Sequence, residues 1–348
     1  MDIKKRITFI VNPISGTQNK KGVTEKIKKY IDNNKFEINI IPTQYSGHAF
    51  EIANQCAIDG VDIVVAVGGD GTINETARAL THTSTVLGII PCGSGNGLAR
   101  HLQIPMDIKK AIETINNCRI EKIDYGKIND IPFFCTCGVG FDAFISMKFS
   151  QANKRGVATY IENTLRESLR YEPETYEIEN EDGSMKHKAF LITCANASQY
   201  GNNFYIAPKA SLCDGLMDVI IMEPFTMIDA PAISFQMING TLDKNSKIKT
   251  IRCKKLKIHR SKAGVIHFDG DPMMADANLT VEIIEKGLNV IIGQQEDKTP
   301  LNVNMWQSVI DIFNDLKPSI IDDLTSHNRR LQVLNKELLK KLKINNYK

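Results

Sequence analysis

An apolar run, Val64-Val65-Ala66-Val67, passes directly into Gly68-Gly69-Asp70-Gly71-Thr72 and then into Ile73-Asn74-Glu75-Thr76. No other feature constrains the fold as tightly, because a buried strand must end at a glycine loop from which a polar helix start departs. Glycines remove Cβ atoms where backbone N–H groups approach an anion, and a helix opening near Thr72 adds free amides and the positive end of its dipole. The junction has the build of a phosphate site, with Asp70 placed where a metal or a transferred group would lie. A second junction follows at Leu87-Gly88-Ile89-Ile90-Pro91-Cys92-Gly93-Ser94-Gly95-Asn96-Gly97-Leu98-Ala99-Arg100, again strand, glycine loop and helix. Two such loops so close together suggest one nucleotide held from two sides.

Around this core the first third alternates. Strands are predicted over 7–11, 36–41, 63–67 and 86–90, with helices over 23–31, 47–58 and 73–80. Such alternation implies a mainly parallel sheet covered on both faces, and ligands then bind outside the carboxyl ends of its strands, where both glycine loops fall. Beyond about residue 120 the pattern changes to strands with short turns, read over 123–128, 131–137, 176–179, 189–195, 217–222, 255–259, 265–268, 280–284 and 289–292. Helical pieces are expected around 156–169 and 227–239. The expected architecture is a parallel α/β nucleotide-binding domain over 1–122, a mostly antiparallel β-sandwich domain over 123–294, and a helical extension over 295–348.

A chain of 348 residues suits two domains, and 42% hydrophobic with 24% charged residues is ordinary for a soluble protein. The net charge of +3 gives no pull towards nucleic acid. The apolar run near the start is too short for a signal-peptide core or a membrane span, so a cytoplasmic location is expected. Eight cysteines lack paired metal-ligand spacing and fit reduced thiols. Residues 327–348 combine Lys and Arg with a stripe of Leu331, Leu334, Leu338, Leu339 and Leu342. That pattern fits a frayed tail, self-association into a homodimer, or a peripheral contact with an anionic membrane.

Asn12-Pro13 with Ser15-Gly16, the loop from Gly68 to Thr72, and the loop from Pro91 to Arg100 together resemble the diacylglycerol kinase and sphingosine kinase superfamily of lipid kinases. Ala207-Pro208-Lys209-Ala210 leading to Asp214-Gly215-Leu216-Met217-Asp218, and Phe268-Asp269-Gly270-Asp271-Pro272, agree with it. The resemblance covers roughly residues 7–292. It implies two lobes with ATP and a lipid meeting between them, and transfer of the γ-phosphoryl group to a lipid hydroxyl. Such a transfer needs donors for the phosphates, a divalent ion and a carboxylate that accepts the hydroxyl proton. Backbone amides of Gly69 to Thr72 and Gly93 to Asn96, with the Thr72 and Ser94 hydroxyls, are the candidate phosphate cradle. Gly68, Gly71, Glu75 and Gly95 complete the nucleotide-binding set. Thr43 matches a family position beside the nucleotide, and Asn12 and Asn74 are candidates to orient the loops.

By family pattern the general base falls on Asp271, where bacterial members usually carry Glu. Asp70 is the rival, and otherwise organises metal and phosphate. Also by resemblance, a structural Mg²⁺ would take Asp214, the Leu216 carbonyl and Ser211, while a catalytic Mg²⁺ arrives with ATP. Gly138-Val139-Gly140-Phe141-Asp142 matches a family glycine pair, assigned to structure, with Asp142 capping the next helix. The second glycine loop leans towards the sphingosine kinase form without excluding diacylglycerol. Two other readings stay open: an NAD kinase-like phosphotransferase, and an inactive nucleotide-binding protein at a membrane.

Overall fold

The computed structural model describes residues 4–14, 20–150, 167, 171–226 and 229–294. Ser15 and Gly16, the helix expected over 156–169, the first residues of the one expected from Met227, and the extension beyond Gln294 lie outside the described residues. Strands and helices alternate at first: β1 (Lys5–Val11), α1 (Lys20–Tyr30), β2 (Phe36–Pro42), α2 (His48–Ile58), β3 (Ile63–Gly68), α3 (Asp70–Leu80), β4 (Val86–Pro91), α4 (Gly97–His101) and α5 (Ile108–Asn117). A strand-rich stretch follows: β5 (Ile120–Ile128), β6 (Ile131–Phe133), β7 (Thr136–Gly140), α6 (Phe141–Ser150), β8 (Glu174–Asn180), β9 (Gly183–Ala189), β10 (Leu191–Ala195), β11 (Gln199–Gly201), β12 (Phe204–Tyr205) and β13 (Met217–Met222). The last described elements are α7 (Ala230–Asn239), β14 (Ile248–Cys253), β15 (Lys255–His259), β16 (Gly264–Phe268), β17 (Asp271–Ala275) and β18 (Asn278–Ile291).

The order β2-β1-β3-β4 is parallel throughout. Every residue of β3 and β4 is buried, as expected of strands covered on both faces by helices. This sheet does not stop at β4. β18 pairs with it in parallel at Val290 and Leu87 and continues antiparallel to β5 and β15, from which β8 and β9 extend the sheet. A second sheet, β14-β13-β10-β7-β16-β17, is antiparallel. The two sheets close on a shared core of Ile128, Tyr176, Ile178, Leu256, Ile258 and Val281 from one and Val139, Ile192, Cys194, Val219, Ile221 and Ile266 from the other. The molecule is therefore a parallel α/β layer followed by an antiparallel sandwich.

Four local differences from the sequence reading have physical causes. The helix expected from Ile73 begins at Asp70, because the glycine loop is only one residue deep before the chain turns helical. The strand expected over 131–137 is broken into β6 and β7, one in each sheet, since Phe134, Cys135 and Thr136 donate their amides to a side chain, Asp269. Conversely, the strands expected over 280–284 and 289–292 are one strand, β18, with a bulge between Ile284 and Leu288. Its first half contributes Leu279, Val281 and Ile283 to the sandwich core, and its second half gives Leu288, Val290 and Ile291 to the α/β core. The helix α5, not anticipated, is capped by Asp107, which accepts the Lys110 amide at 3.0 Å, and buries Ile108, Ala111, Ile112 and Ile115 on one face.

All eight cysteines are free thiols. Among the described residues no helix is long and apolar enough to cross a membrane.

Candidate active site

The carboxyl ends of β1, β2, β3 and β4 lead into Asn12, Thr43, Gly69 and Cys92, so the first lobe gathers its loops along one edge. Thr43 is buried and its amide donates to the Val11 carbonyl at 2.9 Å, which fixes it beside the end of β1. Asn12 Nδ2 donates to Thr72 Oγ1 at 3.0 Å, and Asn12 Oδ1 accepts the Ile14 amide. Thr72 is itself buried. Asn12 thus ties the end of β1 to the first turn of α3.

The two glycine loops touch. A Cβ on Gly93 would lie 2.7 Å from Gly69 Cα and 2.8 Å from Asn96 Oδ1, so these glycines allow the loops to approach backbone to backbone. Asp70 fastens them together: Oδ2 accepts the Asn96 amide and Oδ1 the Gly97 amide, each at 2.8 Å. Asn96, at φ 53°, brackets the Gly93 peptide, accepting its N–H at 3.0 Å and donating to its carbonyl at 2.8 Å. The Gly95 carbonyl accepts from Arg100 Nε at 2.9 Å and from the Asn202 amide at 3.0 Å, which brings the hairpin of β11 and β12 against the second loop. Burial lowers the Arg100 pKa, with Tyr205 and Asp70 opposing. Ser94 stands exposed at the loop tip.

Two further residues expected at the nucleotide are placed by α3. Asn74 is buried on it. Glu75 turns to the neighbouring helix instead, where its carboxylate accepts the Gly47 and Ala49 amides at 2.9 and 3.2 Å and caps α2. The start of α3 itself carries no side-chain cap, so its leading amides have no intrahelical acceptor. A helix start of this kind, next to a glycine loop, is a ready anion site.

Asp271 reaches this region from the sandwich. Phe268 pairs with Asp271 across a two-residue turn, Asp269-Gly270, with φ of 51° and 88° as a type I′ hairpin requires. Asp269 is the anchor of that turn. Its carboxylate accepts three amides, from Phe134 at 2.8 Å, Cys135 at 2.7 Å and Thr136 at 3.1 Å. Burial pushes its pKa up to about 6 against the lowering effect of those three amides. Asp271 projects next to α3, with Oδ2 3.8 Å from Arg78 Nη2. Its side chain is 59% exposed, yet nearby protein withdraws solvent from the carboxyl. That desolvation, with the charges of Glu75 and Asp70 adding, raises its pKa despite the opposing pull of Arg78.

Asp214 belongs to a separate cluster. Its Oδ2 pairs with Arg252 and its Oδ1 accepts the Leu216 amide at 3.2 Å, while Ser211 Oγ accepts the Cys213 amide at 3.3 Å. Arg252 Nε also lies 3.4 Å from Asp218. The neighbouring Gly215 amide donates to Asp124, a buried carboxylate that also takes the Lys286 amide in the β18 bulge, at 2.8 and 2.7 Å. A guanidinium therefore supplies the positive charge on Asp214, and one carboxylate with both oxygens engaged does not suit a resident Mg²⁺. Among the described residues no three His, Cys, Asp or Glu side chains converge as a metal site.

Sequence reasoning missed Arg78, Asp124 and Asp269. Arg78 carried a signal, since Asp70, Asn74 and Arg78 recur every four residues along one helix face. Asp142 does not precede the helix as a cap but lies in the first turn of α6, where it accepts the Ala143 amide at 2.8 Å and receives hydrogen bonds from Thr193 at 2.6 Å and His267 at 2.9 Å.

Residues 6–128 match the diacylglycerol kinase catalytic domain, and residues 135–292 match the YegS C-terminal NAD kinase beta sandwich-like domain. The diacylglycerol kinase of Bacillus subtilis is 30% identical over 281 residues, covering 77% of this chain and 90% of that protein. The chain belongs to the diacylglycerol kinase family of lipid kinases. A second relative, the diacylglycerol kinase of Staphylococcus saprophyticus, is 25% identical and covers 77% of this chain and 90% of its own length. The fold is shared with a diacylglycerol kinase structure from Bacillus anthracis, at a TM-score of 0.64 and 19% identity, over 83% of this chain and 97% of that one.

Proposed function

We propose that this lipid-kinase-family chain is an active enzyme that transfers the γ-phosphoryl group of ATP to the hydroxyl of diacylglycerol or a similar lipid alcohol. One observation carries the reading: the uncapped start of α3 and the Asp271 carboxyl both belong to the surroundings of α3, one at a phosphate cradle and the other beside Arg78. The lipid oxygen attacks the γ-phosphorus and forms the new P–O bond, while the bond to the bridging oxygen breaks and its electron pair leaves with ADP. The lipid hydroxyl proton passes to Asp271. Burial raises the Asp271 pKa, which suits a base, and Asp70 already spends both oxygens on the loop clasp. Mg²⁺ bound with the nucleotide would neutralise phosphate charge. On β17, which starts at Asp271, Met273 and Met274 are exposed apolar side chains suited to a lipid surface.

The test is transfer from γ-labelled ATP with Mg²⁺ to diacylglycerol, a sphingoid base, monoacylglycerol and NAD in mixed micelles. A labelled lipid is expected, reduced about 10²- to 10⁴-fold in Asp271→Asn, the span of general acid–base contributions, with ATP affinity retained. Labelled NADP would instead place the chain with NAD kinase-like phosphotransferases. No product from any acceptor would leave a nucleotide-binding protein without turnover.

A further inference from the structure

Arg78 is the residue whose placement is least explained by the fold. Its side chain is only 23% exposed, and its Nε and Nη2 atoms are buried with no hydrogen-bond partner among the described residues. Buried donors left unpaired cost about 1–3 kcal/mol each, and the other guanidinium groups among the described residues avoid that cost. Arg260, for comparison, spends its donors on the carbonyls of Gly264, Val265, Ala275 and Asp276. Asp271 does not satisfy Arg78, because 3.8 Å is an ion-pair distance too long for a hydrogen bond. The guanidinium is steadied by the Phe268 ring, whose centroid is 5.1 Å away.

Nε and Nη2 are the two donors on one side edge of a guanidinium, the edge that grips two oxygens of a single carboxylate or phosphoryl group. Side chains on a helix lean towards its N-terminus, so Arg78 on α3 leans towards the glycine loops and not away from them. The unpaired edge thus lies beside the proposed base, with Nη2 3.8 Å from Asp271 Oδ2, on the helix that starts at the candidate phosphate cradle.

We propose that Arg78 is the anion grip of this cleft: its side edge holds two oxygens of the phosphoryl group as that group passes from nucleotide to lipid. The inference rests on the lipid-kinase reading for the identity of the phosphoryl group, while the unpaired donor edge stands without it. A phosphoryl group gains charge-assisted hydrogen bonds there that the free protein lacks. Asp271 is left to the proton, since its partner cation turns to the phosphate.

Two measurements test this. In protein carrying ¹⁵N-arginine, the Arg78 Nε–H signal should move as inorganic phosphate is raised through the millimolar range, while the signal of Arg252, already paired with Asp214, should not. In the kinase assay, Arg78→Gln should lose about 10²- to 10³-fold in kcat, the effect of removing one transition-state donor, with KM for ATP within about threefold. Arg78→Lys keeps the charge without the paired edge and should recover less than about a tenth of the lost rate. An unmoved Nε–H signal, or an Arg78→Gln protein that turns over within about threefold of the parent, overturns the proposal. If the parent protein phosphorylates no lipid, the kinase reading fails on its own, and the phosphate titration still decides the role of Arg78. The titration also decides it if Arg78→Gln does not fold.

Discussion

Asp269 shows how a single residue sets the reach of its neighbour. Three buried amides converge on its carboxylate, so Asp269→Ala leaves them without an acceptor and should cost about 3 kcal/mol or more in urea unfolding, at about 1–3 kcal/mol per unpaired group. Its titration has a definite sign. With an ordinary value of 3.8 raised to about 6 by burial, the folded protein holds this proton more tightly than the unfolded chain does. The stability this group contributes is fully present below about pH 3.8 and is lost as pH rises through about 6. Carboxyl ¹³C NMR of the folded protein should place the Asp269 midpoint near 6, and a midpoint near the ordinary 3.8 would show that the three amides fully offset burial. Because Asp269 opens the turn that closes at Asp271, its loss should also weaken catalysis through displacement of that carboxyl.

At the scale of elements, the glycines of the first loop divide by what surrounds them. Gly69 and Gly93 are explained by loop-to-loop contact, whereas a Cβ on Gly71 meets nothing within 4 Å among the described residues. Gly71 lies in the first turn of α3, where Ala is the better helix former by up to about 1 kcal/mol. Gly71→Ala should therefore keep or raise Tm and yet weaken ATP binding, because the open space is where phosphate oxygens would come to rest. Equal loss of Tm and binding would assign Gly71 to the fold. The strand-loop-helix junctions were legible in the sequence because buried parallel strands are continuous apolar runs and glycine marks their ends. The sequence-level account of the glycines as anion-approach residues left out half their work, since contact between two loops separated by more than twenty residues has no local signature. The same limit hid the break between β6 and β7, whose cause lies more than 130 residues away at Asp269. β9 and β17 went unread because their exposed residues do not alternate cleanly. Arg78 went unread because a charged residue on a helix is ordinarily solvated.

Across the whole molecule, β18 and its partner β5 each contribute to both cores, and a buried carboxylate holds the β18 bulge in place. Asp124 binds the Lys286 amide of that bulge and the Gly215 amide of the Asp214 turn, so this carboxylate joins the returning strand to the loop where resemblance to bacterial lipid kinases would put Mg²⁺. Here the cation on Asp214 is Arg252, which also faces Asp218, whose pKa burial raises while Arg252 pulls it down. A covalently attached cation orders the turn at any Mg²⁺ concentration, which separates the stability of the fold from the supply of metal. The nucleotide-free protein should accordingly melt at the same temperature, within about 0.5 °C, with Mg²⁺ or with EDTA, a shift below the roughly 1–2 °C per kcal/mol of a chain this size. Arg252→Ala should lower Tm and make it respond to Mg²⁺, because the vacated Asp214 and Asp218 then repel each other with only Lys209 left to oppose on the Asp218 side. On the proposed reaction, turnover would still need Mg²⁺ in both proteins, because that ion would be bound with the nucleotide. A fall in the parent's Tm on adding EDTA would show instead that the metal, and not Arg252, holds the Asp214 turn.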